Sequence, residues 1–422
     1  MTHPSVLTLS TLRSVVRDAA AIRVDLRLQP AAGAGAKVFP PTYGPAQDGK
    51  DEKRFGESKY ALETRRIDGQ DLPCVLLDSV ASQANRVEGA LRDGWEAADL
   101  PFPLVRVDFS EGDLIDPIGV ITALDAPHRI YDAILRDSVN ADGVLFRHTP
   151  AGMAATAASP RDATALFALC PTALVFGAWD STGPKGGMGS KFPRAVSSEI
   201  VGVNIRSGTK VSSRLDPLSV TKVANVVWKV EGAEAWTTTA PSPGKDGKPV
   251  PSVAPSEINH GNVTPSRDVA GGGVTFDHAH QTTVVSLPAL RRLKFPTAVD
   301  GATHADRGAA ELAARTALAA LAIDGLARCH AEGHDLRSGT LLVGEGPFVV
   351  QVVYGDGRAP ASYQVDVSAA DALLREAADA AASHGMTWRR DPIPALKPAP
   401  KLLHLLRESQ KAQLKASPVE GA

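Results

Sequence analysis

A chain of 422 residues with 43% hydrophobic content has enough apolar side chain to bury a sizeable core, and its formal charge of −2 excludes a uniformly basic molecule that binds any polyanion. Aromatic residues are only 5%, too few for the usual base-stacking platform. Cys74, Cys170 and Cys329 lie far apart, so no disulfide framework is expected; with no secretion pattern and no run of about 18 apolar residues, a soluble cytoplasmic protein is expected, without membrane partners.

In chain order, Ile22, Val24, Leu26 and Leu28 alternate with Arg23, Asp25 and Arg27, the period of a half-buried strand over 21–28. A Gly- and Pro-rich loop runs from Pro30 to about Gly56. Cys74 to Leu77 reads as a short strand, and Asp78 or Ser79 can cap a helix reaching about Arg92. Strands are expected at 104–109, 172–176, 197–206, 223–230 and 348–354, and helices at 129–139, 161–169, 309–330 and 369–384. The segment from Gly232 to Gly273 is crowded with Pro, Gly, Ser and Thr and reads as an inserted arm, disordered or binding a partner. From Lys397 to Lys415, five cations and one acid surround leucines at helical spacing, which predicts an amphipathic tail helix. Strands and helices in no strict repeat point to an α+β fold.

The strongest functional signal is Trp179 to Arg194, WDSTGPKGGMGSKFPR. Glycines let backbone N–H groups approach a ligand, and Lys185, Lys191 and Arg194 match the charge of a phosphate. Five residues separate Gly183 from Gly189, and Ser190 precedes Lys191, so the pattern fits no nucleotide-binding P-loop. Phe192 occupies the place of the third glycine in a dinucleotide fingerprint. From Trp179 to Arg214 the cations Lys185, Lys191, Arg194, Arg206, Lys210 and Arg214 face only Asp180 and Glu199, which suits a groove following a phosphodiester backbone. A plain surface loop is the competing reading.

A second stretch lies on the helix after Ser79. Spacings of three and four place Ser79, Ser82, Gln83 and Arg86 on one face, where they suit sugar and phosphate contacts. Arg86 is expected to serve the nucleic acid, leaving the fold indifferent to its loss. An ordinary polar helix face remains the alternative.

The two stretches LLDSVASQANRVE (76–88) and WDSTGPKGGMGSKFPRAVSSEIVGVN (179–204) together resemble the CRISPR Cascade backbone subunit family called Cas seven, in its type I-U, now I-G, variety. The resemblance runs from about Leu12 to Leu374. It implies an RRM-like, ferredoxin-type palm with large inserted finger and thumb elements: palm over 12–231, a thumb-like arm over 232–273, the rest of the palm and a helical part over 274–395, and a basic tail over 396–422. It further implies a filament of copies along one CRISPR RNA, in a complex with Cas five/six-type and large subunits, presenting bases to a target DNA strand without cofactor or catalysis. By similarity, Ser82, Gln83 and Arg86 contact the RNA, joined by Ser79 and by Lys185, Gly186, Gly187, Ser190, Lys191, Arg194 and Arg206.

Two enzymatic alternatives stand beside this reading. His278 and His280 share one strand face, and His330 and His334 are a helical turn apart beside Cys329, spacings compatible with zinc. A CRISPR RNA-processing endoribonuclease of the same superfamily would need a general-base histidine near the glycine loop, for which His128 and His148 are the candidates.

Overall fold

The computed structural model of the protein describes residues 5–44, 58–184, 186–221, 227–230, 236–243 and 248–416. Helix α1 (Leu9–Asp18) leads into β1 (Ala21–Pro30), where Ile22, Val24, Leu26 and Leu28 turn inward as their alternation predicts. β2 (Leu62–Ile67) and β3 (Gln70–Asp78) form a hairpin around Asp68 and Gly69, both at positive φ (48° and 80°). An Asp-Gly pair between two strands is a strong hairpin signal, because both central residues of such a turn adopt left-handed φ. Helix α2 (Val80–Ala97) follows directly, its N-terminus capped by the Ser79 side chain accepting from Ser82 N–H.

After a helical excursion the chain returns as β4 (Val196–Val203). It then leaves in an arm made of β5 (Arg206–Ser207), β6 (Lys210–Arg214), β7 (Val263–Asp268) and β8 (Val274–Thr275), with short strands near its tip. β9 (His278–Ser286) re-enters the sheet, α3 (Arg307–Glu332) crosses behind it, and β10 (Thr340–Gly344) and β11 (Val349–Val353) complete the central part. Helices α4 (Val367–Ala382) and α5 (Pro400–Ala416) close the described chain.

The sheet's central part runs β11–β1–β9–β4–β3–β2, every neighbouring pair antiparallel; beyond β11 it continues to the antiparallel strand Ala361–Gln364 and then to the short strand Ser5–Val6, which pairs in parallel. β11 pairs with the beginning of β1 (Ala21 opposite Val353), and β10 pairs with its end (Leu342 opposite Pro30). One face is covered. α3 lies there, nearly every residue from Ala313 to Ala327 buried. Its alanines and Gly325 allow α2 to approach closely: a Cβ on Gly325 would sit 2.7 Å from Val87 and 2.9 Å from Leu91. The opposite face is polar and carries Arg23, Asp25 and Arg27 of β1 with His278, His280 and Thr282 of β9, apart from a small apolar cluster of Cys74, Val201 and Val203. This mixture of helices with an antiparallel sheet is an α+β architecture.

Several expected elements differ. Thr172 to Phe176 is no strand but part of the helix Pro171–Phe176: Pro171 supplies a pre-set φ at its start, and Gly177 at φ 84° ends it. A short, wholly buried apolar run looks alike as strand or helix, so its composition did not separate them. The helix expected over 129–139 is split into a 3₁₀ turn at Arg129–Tyr131 and a short helix at Ala133–Arg136, because Asp132 caps a new start. The arm leaves the sheet at β5, well ahead of Gly232, while Gly232 and Lys245 lie outside the described residues, as does much of 223–230. The amphipathic tail is a helix, its Leu402, Leu403 and Leu406 against the core.

Candidate nucleic-acid interface

The glycine-rich stretch forms a compact turn built around Asp180. This carboxylate is buried and pairs with Arg147 at 2.6 Å, while its backbone N–H donates to Ser190 O. Two glycines are there for packing: a Cβ on Gly189 would lie 2.0 Å from the Asp180 carbonyl oxygen, and one on Gly183 would lie 2.1 Å from its carboxylate. Gly186 N–H donates to Gly183 O, and Gly189 N–H to Gly186 O, so these two amides are spent inside the turn. Gly186 and Gly187 are exposed, with open space where a Cβ would stand. Beside them Met188 is 87% exposed and Trp179 45% exposed, and the Lys191 ammonium lies 5.1 Å from the Trp179 ring centre. Arg194 is also exposed. Lys185 lies outside the described residues.

Ser190 does not face a ligand. It is buried, its hydroxyl donating to the carbonyls of Thr156 (3.0 Å) and Ala158, because the chain must dive from the exposed glycines into the β-bridge that starts at Lys191.

The turn is tied to α2 through the interior. Arg129, at φ 52°, sends both sides of its guanidinium to Glu88 (2.6 Å each) and a third N–H to Gly177 O (2.8 Å), immediately before Trp179's strand. Burial pushes the Glu88 carboxyl up to about 7, while Arg129 pulls it back. Leaving either partner alone in this site would strand a buried charge.

On α2 the expected common face divides. Gln83 is 0% exposed: its Nε2 donates to Asp78 Oδ2 at 2.6 Å, and its Oε1 accepts from Ser198 Oγ and Gln281 Nε2, both at 2.9 Å. Arg86 donates to Asp78 Oδ2 (3.0 Å) and to the carbonyls of Asp335 (2.8 Å) and Leu336 (2.7 Å). These two side chains cross-link α2, β3, β4, β9 and the strand His334–Arg337, and are engaged by the fold; Ser79 is the cap, and Ser82 is half-buried beside it. The reason is the helix stripe. Ala84, Val87 and Leu91 face the core, and Gln83 lies four residues before Val87, on the same side. That neighbour relation was available in the sequence.

The cations fall into two groups. Lys191 and Arg194 stand before β4, Arg206 and Lys210 after it, and at about 3.3 Å per residue the eight residues of β4 hold the groups roughly 26 Å apart. None of the four makes an ion pair among the described residues. Most other arginines are engaged by carboxylates or carbonyls, although Arg13, Arg161, Arg292 and Arg389 are exposed elsewhere without an ion pair among the described residues.

The histidines meet different surroundings. His280 Nε2 contacts Asp25 Oδ1 at 2.7 Å, with the His278 ring 6.3 Å away, and burial lowers His278 below its ordinary range. His334 is 1% exposed, and burial, with His330 and Arg86 nearby, pushes it down to about 4; Cys329 is pushed up to about 12 by burial. Among the described residues no three His, Cys, Asp or Glu side chains gather as a metal site. His128 and His148 are exposed, and neither ring meets a carboxylate there. No described helix is long and apolar enough to cross a membrane.

An antiparallel α+β body with unpaired Lys191 and Arg194 beside an exposed glycine turn is a candidate polyanion-binding protein. The model of a family described as CRISPR-associated protein GSU0053 (Cas_GSU0053) matches residues 22–207, a span that holds β1, α2, the glycine turn and β4. Over this segment, somewhat under half of its length, the chain is similar to that CRISPR-associated family. No curated protein matches the chain.

Proposed function

We propose that the chain is a non-catalytic subunit that binds CRISPR RNA, forming the backbone of a Cascade-type surveillance complex of the type I-G (I-U) variety. Copies of it polymerise along the RNA, beside other Cascade subunits, and leave the bases free to pair with target DNA in antiviral defence. The observation that carries this reading is the pairing of an exposed glycine turn, flanked by Lys191 and Arg194, with unpaired cations at the far end of the same strand, in a chain whose residues 22–207 match a CRISPR-associated family. Such a surface grips phosphates and reads no base edges, as a filament that accepts any spacer requires.

Two features of the topology support an RRM-like palm with a thumb. The core strands β1, β4, β9 and β10/β11, in chain order, lie in the sheet as fourth, first, third, second, with α2 and α3 in the two crossovers on one face. The arm is inserted between the second and third of these strands, where it projects from the sheet's end and can reach a neighbouring copy.

Purifying the chain from cells that express a CRISPR array, and sequencing the nucleic acid carried with it, tests the proposal. Uniform repeat-spacer RNAs with intact ends are expected. Protein free of nucleic acid at low salt overturns the reading.

A further inference from the structure

We infer that copies of the chain join head to tail, the acidic loop around Ile115 of one copy seating in a cationic, apolar-floored cavity between helices α1, α3 and α4 of the next. The inference deepens the proposed function and rests on it in one respect, that several copies line one strand.

The cavity begins with two stripes on α1. Leu12, Val15 and Val16 turn to the core, which leaves Ser10, Arg13, Ser14 and Arg17 along the edge of the packed helices. Where α1 meets α3 and α4, Ala313, Thr316 and Ala380 are too small to close the junction, and a cavity of about 430 Å³ remains. Leu9, Ala313 and Ala380 give it an apolar floor, and the Thr316 hydroxyl is spent on Leu312 O at 2.7 Å.

Its mouth is positive. Arg17 is bound to Asp18, but Arg13 is exposed with no ion pair, and the His384 ring has no hydrogen-bond partner, among the described residues. No carboxylate is among the described residues that line the cavity. Such a site suits an apolar side chain with carboxylates beside it.

The chain carries that complement itself. Between the paired strands Arg106–Asp108 and Val120–Thr122, the loop presents Ile115 at 52% exposure, with Asp113 and Asp116 exposed on either side and unpaired among the described residues. One exposed aliphatic residue is ordinary on a protein surface. This one is held in place by α5: Arg407 donates to the carbonyls of Gly112 (2.7 Å) and Asp113 (3.1 Å), and Gln410 Oε1 accepts from the N–H groups of Ile115 (2.9 Å) and Asp116 (3.2 Å). A rigid anchor loses little freedom when it docks. Tied to α5, Ile115 does not line the cavity of its own copy, so the cavity it fills belongs to another. A knob on one surface and a hole on a different one form a heterologous contact, which repeats from copy to copy.

Sedimentation velocity, counting the copies loaded on uniform-sequence single-stranded RNA, tests this with one RNA too short for two copies and one long enough for several. Ile115→Asp and Arg13→Glu are each expected to bind the short RNA as the intact chain does, with unchanged melting temperature, and to need about tenfold more protein to fill the long one. Arg13→Glu combined with Asp113→Asn and Asp116→Lys is expected to regain full loading, since the charges are then exchanged across the contact; asparagine at 113 tolerates the φ of 45° there. Full loading by both single variants overturns the interface and leaves the proposed function standing, and so does a loss that the combined variant fails to recover. An intact chain that binds neither RNA overturns the proposed function. The interface is then read from self-association without RNA: association that Ile115→Asp abolishes supports it, while a chain that stays monomeric, or associates regardless of Ile115→Asp, overturns it too.

Discussion

The beginning of α2 and the two ends of β4 look alike in the sequence, each offering cations and small polar side chains at spacings that suit a nucleic acid, yet the fold uses them in opposite ways. On α2, Gln83 and Arg86 point into a network with Asp78, Ser198, Gln281 and Thr283 and with the carbonyls of Asp335 and Leu336, and join four strands to one helix. At the ends of β4, Lys191, Arg194, Arg206 and Lys210 meet no carboxylate among the described residues. A charge counted along the chain is available to a ligand only if the interior has not claimed it. Buried donors and acceptors must be paired, so helix faces beside a sheet are claimed first.

The sharpest way to break this contrast is Arg86→Ala. Removing the guanidinium leaves Asp78 buried without its cation and two carbonyls without donors, and should destabilise the protein by about 3 kcal/mol in denaturant unfolding. A variant as stable as the parent with weaker RNA binding would return Arg86 to the interface.

The next effect is a pH dependence in the same interior. His334 has its folded-state value depressed to about 4 by burial, against about 6.5 when unfolded, so its contribution is fully present above pH 6.5. Below that, the unfolded chain takes up a proton that the folded chain refuses, and stability is lost progressively down to about pH 4, by up to roughly 3 kcal/mol. His334→Leu should flatten the stability profile between pH 7 and 4. A profile identical to the parent's would show that His334 is hydrated in solution.

The smallest effect on folding belongs to Lys191→Ala with Arg194→Ala. Thermal stability should move by no more than about 0.5 kcal/mol. RNA binding, by contrast, should weaken about equally for all spacer sequences, and the salt slope should fall by about 1.4. Weakening confined to particular bases would mean that the glycine turn reads sequence, and the contrast with α2 would need recasting.

Much of the fold was legible. The alternation in β1, the Ser79 cap, the alanine-rich helices α3 and α4 and the amphipathic α5 each follow from local chemistry that acts within a few residues. The site was legible in its outer part, because Gly186, Gly187, Lys191 and Arg194 are exposed and keep the character their side chains have in isolation. Ser190 was not, since its burial depends on the carbonyls of Thr156 and Ala158, more than thirty residues earlier. The glycines at 183 and 189 carried a true signal for close approach, but what approaches them is Asp180.

The sequence by itself determined the periods, caps and turns, and with them the helices, most strands and the local excess of cations. Tertiary structure alone decided which of those polar groups reach solvent. The sides of α2 that hold Gln83 and Arg86 differ from its outer side only through the sheet and strand packed against them, and the approach of the segment after β1 to the root of the arm depends on the bridge of Val38 to Val274, more than two hundred residues away. Contacts at such separation leave no periodicity to read. They arise because burying one sheet face fixes every strand's register, and register then places each remaining side chain.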